Sequence, residues 1–181
     1  IAEAGIAIDR ILLTHGHMDH AGGAAELAEA LGNVPIEGPQ LADAFLLEGL
    51  VAQGAKYGLE CRPVTPNRWL EEGDQVDIAG IAFDVLHCPG HTPGHVSICI
   101  ESKGEKAIIT GDMMHHPIQL ERPGQLARFD MDGKVACNTR VSFVERVANS
   151  GTFVIGSHFN EPTGGYVVRD AHGCRLQQNQ Q

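Results

Sequence analysis

Thr14-His15-Gly16-His17-Met18-Asp19-His20 packs three histidines and an aspartate into the six residues from His15 to His20. Three later segments add groups of the same kind: His91 in Pro89-Gly90-His91-Thr92-Pro93-Gly94-His95, Asp112 in Thr110-Gly111-Asp112, and His158 in Gly156-Ser157-His158. The seven side chains His15, His17, Asp19, His20, His91, Asp112 and His158 are enough for two metal ions. Imidazole and carboxylate ligands suit zinc, with iron, manganese or cobalt as alternatives. A single histidine would most simply be an ordinary hydrogen-bonded residue. An HxHxDH cluster followed by His, Asp and His is read as a metal site.

Residues 6–14 read as a strand running into this cluster. Residues 21–31 read as a helix, with Ala24, Leu27, Ala28 and Leu31 at i, i+3, i+4, i+7. Residues 34–36 form a short strand that Pro35 places at a sheet edge. Residues 41–57 read as a second helix with Ala44, Leu47, Val51 and Ala55 on its stripe, weakened by Gly49 and Gly54. A proline-bearing loop over 62–67 follows. Residues 75–78 and 81–86 pattern as a hairpin around Ala79-Gly80. Val96, Ile98 and Ile100 alternate, and residues 107–110 form a buried strand ending at Asp112. Residues 113–128 are irregular. Asp130 or Asp132 caps a helix reaching Asn149, with Cys137, Val141, Val144 and Ala148 on one face. Residues 152–156 form a strand ending at His158, and 166–169 with 174–176 form a closing hairpin. Each ligand segment thus follows a strand end, where loops on a rigid scaffold carry chemistry.

In extended chain, alternate residues share a face, so His15 and His17 approach one ion together. Asp19 and His20 follow as the chain turns into a helix and face a second ion. His91 completes the first site, His158 the second, and Asp112 bridges them. Two such ions lie about 3.5–4 Å apart and hold a hydroxide between them, formed because zinc lowers the pKa of bound water to about 7. His95 competes with His91 but opens the next strand, so it is read as packed or as supporting a ligand. His87 is read as a strand-end residue, His115 and His116 as lining the substrate pocket or solvated in a loop, and His172 as exposed.

The chain has 181 residues, 43% apolar and 20% charged, which suits one domain over 1–181 with a sizeable core. A net charge of −10 argues against nucleic acid and anionic membranes as partners. No apolar run would span a bilayer and no signal peptide is visible, so a cytoplasmic location is expected. Cys61, Cys88, Cys99, Cys137 and Cys174 are odd in number and never in a CxxC pair, which reads as reduced thiols.

The segments 14–20, 89–95, 110–112 and 157–158 resemble the metallo-β-lactamase superfamily of hydrolases. The resemblance implies an α+β fold, an αββα sandwich with a dinuclear site at one edge. It implies His15, His17 and His91 on one ion, Asp19, His20 and His158 on the other, and Asp112 bridging, with Asp19 and Asp112 as the catalytic carboxylates. Asp19 would also accept a proton from the hydroxide or orient it. It favours His91 over His95, because the family's ligand is the histidine of the Gly-His-Thr step.

Leu12-Leu13-Thr14-His15-Gly16-His17, Thr65-Pro66-Asn67-Arg68-Trp69-Leu70 and Leu86-His87-Cys88-Pro89-Gly90-His91 are most similar to glyoxalase II-like members. Met114-His115-His116-Pro117-Ile118-Gln119, Ser157-His158-Phe159 and Tyr166-Val167-Val168-Arg169-Asp170 look more like lactonase- and organophosphate-hydrolase-type members. Glyoxalase II proper carries a helical glutathione-binding domain for which these residues leave no room, which counts against a glutathione thioester. The family has several strands before the HxHxDH motif. Here one is expected, so the N-terminal strands read as shortened or missing, with either a homodimer or instability as the expected consequence.

The leading expectation is a hydrolase in which a hydroxide bridging two Zn2+ ions attacks the carbonyl of a small-molecule thioester, lactone or ester. Three alternatives stay open: phosphotriester or phosphodiester hydrolysis at the same metals, an iron-dependent redox or persulfide enzyme, and an inactive fragment.

Overall fold

Residues 5–179 are described by the computed structural model, in which the chain divides between Leu70 and Glu71 into two compact units. In the first unit, β1 (Ile11–Leu12) pairs in parallel with β2 (Ile36–Glu37). The strand expected over 6–14 is thus only two residues long. A strand persists only where a neighbour satisfies its backbone, and β2 offers two residues. Asn67 extends that edge: its N–H donates to Ile36 O at 2.7 Å, and its Oδ1 accepts from Ile36 N–H at 2.9 Å.

The helix expected over 21–31 is two short helices, α1 (Met18–Ala21) and α2 (Ala24–Ala30), interrupted at Gly22-Gly23. The 41–57 segment opens as a 3-10 turn, Leu41–Asp43, and continues as α3 (Ala44–Glu48) and α4 (Leu50–Ala55), broken at Gly49. Asp43, Leu47, Leu50 and Gly54 are its buried residues, whereas Val51, expected on the buried stripe, is 53% exposed. The break at Gly49 shifts the helical phase, which carries Leu50 rather than Val51 inward. Leu13, Ala21, Ile36, Leu47, Leu50 and Val64 form the core of this unit.

The second unit is built on a seven-stranded mixed sheet in chain order. Its strands are β3 (Gln75–Ile78), β4 (Ile81–His87), β5 (Val96–Ser102), β6 (Glu105–Ile109), β7 (Phe153–Ile155), β8 (Gly164–Asp170) and β9 (Gly173–Gln177). The β3–β4 turn has positive φ at both Ala79 and Gly80, as a two-residue hairpin loop requires. Every pairing is antiparallel except β6 with β7. That single parallel pair needs a crossover, which carries α5 (Ile118–Glu121) and α6 (Gly133–Val147). The directions follow: β4, β6 and β7 all run the same way, so their C-terminal ends share one edge of the sheet. The sheet and helices make an α+β architecture, as expected.

Asp132 caps α6, its Oδ1 accepting from Val135 N–H at 3.0 Å. The buried face of α6 is Ala136, Arg140, Phe143, Val144 and Val147. The expected face through Cys137 and Val141 is rotated away, with Val141 45% exposed. Phe143, Val144 and Val147 pack with Ile108, Val154 and Val167 of the sheet. Gly90 (φ +126) lies against this helix: a Cβ there would sit 2.3 Å from the Ala136 backbone. Gly90→Ala is therefore expected to destabilise the protein by at least about 3 kcal/mol, at the severe end of overpacking plus positive-φ strain. Denaturant unfolding measures this, and a loss under about 1 kcal/mol would contradict it.

All five cysteines are free. Burial pushes the Cys88 thiol up to about 12, although the Ser97 hydroxyl donates to its sulfur at 3.4 Å. Thiolate is the reactive form, so Cys88 is expected to resist alkylation at pH 8 until the protein unfolds. Peptide mapping after native labelling checks this. Among the described residues, no helix is long and apolar enough to cross a membrane.

Candidate metal centre

In the first unit the chain leaves β1, stays extended through His17 (φ −72, ψ 151) and turns into α1. His15 is buried, and its ring centroid lies 4.9 Å from that of His17 and 4.2 Å from that of His20. Asp19 Oδ2 is 3.6 Å from His20 Nε2. The four clustered residues of the motif are thus held on one short loop and helix start. Gly16 is required there, since a Cβ would lie 2.6 Å from Leu46 Cβ. Its N–H donates to Oδ2 of the buried Asp43 at 2.9 Å. Met18 N–H donates to Gln53 Oε1 at 3.1 Å, and Gln53 Nε2 donates to Leu46 O at 2.8 Å. Asp43 and Gln53 thus pin the histidine loop, a role that sequence reasoning missed.

In the second unit His91, Asp112 and His158 follow β4, β6 and β7, at the shared C-terminal edge. Three imidazoles converge on one oxygen, Asp112 Oδ2: His158 Nε2 at 2.9 Å, His115 Nε2 at 3.5 Å and His91 Nε2 at 3.7 Å. His115 stacks on His158, with centroids 5.1 Å apart and planes at 16°. His115 therefore belongs to this cluster, more closely than its reading as a pocket or loop residue implied. His95 is buried, and its Nε2 accepts from the backbone N–H of Asp112 at 2.9 Å. That bond engages Nε2 and fixes the aspartate backbone. His87 lies at the strand end, a ring nitrogen 2.9 Å from Pro93 O, and His116 Nδ1 accepts from Ile118 N–H at 3.0 Å.

Asp130 and Arg140 lie behind His91, both almost fully buried. Asp130 Oδ2 accepts from Arg140 Nη2 at 3.0 Å and from Ala127 N–H at 2.9 Å, and its Oδ1 is 3.7 Å from His91 Nδ1. Arg140 also donates to Pro123 O at 3.0 Å and Met113 O at 3.3 Å. From the sequence Asp130 reads as an alternative helix cap, and Arg140 is not among the residues expected at the site. The signal was present, because Arg140 interrupts the apolar stripe of α6. Burial pushes the Asp130 carboxyl up, but the contacts from His91, Arg140 and Ala127 outweigh it and bring it down to about 2.

A lowered folded value stabilises the native state at pH values above the unfolded one, near 4, and that contribution is lost as pH falls towards about 2. The contribution at neutral pH is about 2 kcal/mol. Unfolding measured from pH 5 to pH 2 is expected to show a steeper acid loss in the wild type than in Asp130→Asn. Equal slopes would contradict the assignment.

Nitrogen and oxygen donors meeting at a buried carboxylate fit a divalent cation such as zinc, iron or manganese. Ligand atoms of His91, Asp112 and His115 all lie within 4.8 Å of one another.

The family model described as Metallo-beta-lactamase superfamily matches residues 1–172. The chain belongs to the metallo-β-lactamase superfamily. Over 116 residues it is 40% identical to hydroxyacylglutathione hydrolase GloC of Haemophilus influenzae, covering 63% of this chain and 53% of that relative. The chain thus spans about half the length of that curated relative. Among solved structures of similar proteins, TTHA1623 in a di-iron-bound form is 31% identical, with a TM-score of 0.68, covering 91% of this chain and 75% of that one. AidC, a dizinc quorum-quenching lactonase in complex with a product, has a TM-score of 0.76 at 20% identity, covering 99% of this chain and 68% of that one. The latter likeness concerns the metallo-β-lactamase fold alone.

Proposed function

We propose that the chain is a metal-dependent hydrolase of small thioesters, lactones or esters. The observation that carries this reading is the convergence of His91, His115 and His158 on Asp112 Oδ2 at the strand ends. Family membership supports assigning His15, His17 and His91 to one ion, Asp19, His20 and His158 to another, and Asp112 to both. When bound, two zinc ions would supply a nucleophilic water at neutral pH and polarise the substrate carbonyl. Asp112 would contribute negative charge that holds both cations. Asp19, more than half exposed at its carboxylate, is placed where solvent protons exchange, which suits accepting a proton from the attacking water. His95 holds the Asp112 backbone and has no part in proton transfer in this scheme.

A di-iron enzyme is the second reading, favoured by the di-iron-bound relative. Elemental analysis of protein purified without chelators separates the two. About two zinc ions per chain, with turnover of a thioester or lactone, is the expected result. Iron with its own absorption spectrum would favour the second reading. No metal retained after reconstitution with zinc, iron or manganese would overturn both.

A further inference from the structure

His91 lies between two carboxylates. Its Nε2 faces Asp112 Oδ2 and its Nδ1 faces Asp130 Oδ1, each at 3.7 Å. A neutral imidazole carries a proton on one nitrogen and a lone pair on the other, so this ring has two possible tautomers and only one presents Nε2 as a ligand.

We propose that Asp130, held by Arg140, is a positioning residue that keeps the His91 proton on Nδ1 and leaves the Nε2 lone pair for a metal ion. The proposal rests on the metal-dependent reading above. Three observations support it. Asp130 Oδ1 is buried and has no hydrogen-bond partner among the described residues, so it is an open acceptor, and Nδ1 is the His91 nitrogen that faces it at 3.7 Å. Its other oxygen is fully engaged by Arg140 and Ala127 N–H, which aims Oδ1 at the ring. The two residues also share a backbone clamp: Met131 N–H donates to His91 O at 3.1 Å, and Asp132 N–H donates to Gly90 O at 3.0 Å. Two backbone hydrogen bonds therefore tie the turn that carries His91 to the residues that follow Asp130.

A carboxylate behind a ligating imidazole fixes its tautomer and orientation and raises its basicity, and losing such a partner costs about 10–100-fold in metal affinity. A purely structural Asp130–Arg140 pair would make no such demand on His91. The test is a chelator-competition titration with zinc on the full chain, comparing wild type, Asp130→Asn and Asp130→Ala. The expected result is a loss of about 10–100-fold for one zinc equivalent in Asp130→Ala, a smaller loss in Asp130→Asn, and an unchanged second equivalent. Lowered thermal stability of the metal-free variants with unchanged zinc affinity would overturn the proposal.

If the variants do not fold, imidazole 15N spectra of the metal-free wild type above neutral pH, assigned with His91→Gln, decide the matter. A proton on Nδ1 of His91 is expected, and a proton on Nε2 would overturn the proposal. A wild type that takes up no zinc, iron or manganese overturns the enzymatic reading, while the tautomer still judges the Asp130 contact.

Discussion

Metal binding and turnover are expected to fall together in Asp112→Ala, each by more than about 100-fold. Losing a group one shell removed from a metal costs about 10–100-fold, and Asp112 is proposed as a direct ligand. The backbone at Asp112 is held by its own N–H bond to His95, so the main chain has reason to stay in place. Deleting the carboxylate spares its desolvation but strips the contact with His158, and the imidazoles left behind can stay neutral, so no buried charge is left uncompensated. Metal-free Asp112→Ala is therefore expected to stay folded, with a loss smaller than that of breaking a buried charge pair. Zinc content, hydrolytic rate and metal-free thermal unfolding, measured side by side, check this. Retained zinc with a collapsed melting temperature would mark Asp112 as structural and sink the proposed centre.

The second large effect is on stability. Arg140→Ala removes a fully buried guanidinium, leaves Asp130 ionised and uncompensated, and frees the carbonyls of Met113 and Pro123. Breaking a buried pair by deleting one partner costs about 3–5 kcal/mol. Urea unfolding of Arg140→Ala should show that loss. The double variant Arg140→Met with Asp130→Leu should recover much of it, because replacing both charges by apolar groups of similar volume is often neutral. If Arg140→Ala costs under about 1 kcal/mol, the pair is not what holds the 113–130 segment against α6.

The sequence exposed the parts of the fold whose cause is local. The hairpin around Ala79-Gly80 was readable because its turn needs positive φ and its strands alternate. Asp132 and the span of α6 were readable from a cap followed by a long helical run. The strand ends carrying His91, Asp112 and His158 were readable because short apolar runs stop just before them. What escaped was decided by packing. The length of β1 depends on what β2 offers, and the buried face of α6 depends on where the sheet lies. Asp43, Asp130 and Arg140 are charged residues turned inward to hold histidine-bearing turns, and composition alone assigns such residues to the surface. His115 was visible beside Asp112, but its stacking on His158 required the crossover to bring β7 beside β6.

That crossover also sets a timetable. The β3–β4, β4–β5, β5–β6 and β8–β9 pairings join neighbours in the chain and close small loops, whereas β6 meets β7 only after the intervening residues 110–152 have been looped back. Loop closure of that length must be met before its contacts repay it, which slows such pairings relative to local ones. Asp112 lies just beyond β6 and His158 just beyond β7, so the His158–Asp112 contact needs this non-local pairing, and a centre built on that contact would be completed only once it closes. A nascent or partly opened chain, hairpins intact, would offer scattered imidazoles to a passing ion and no centre to keep it.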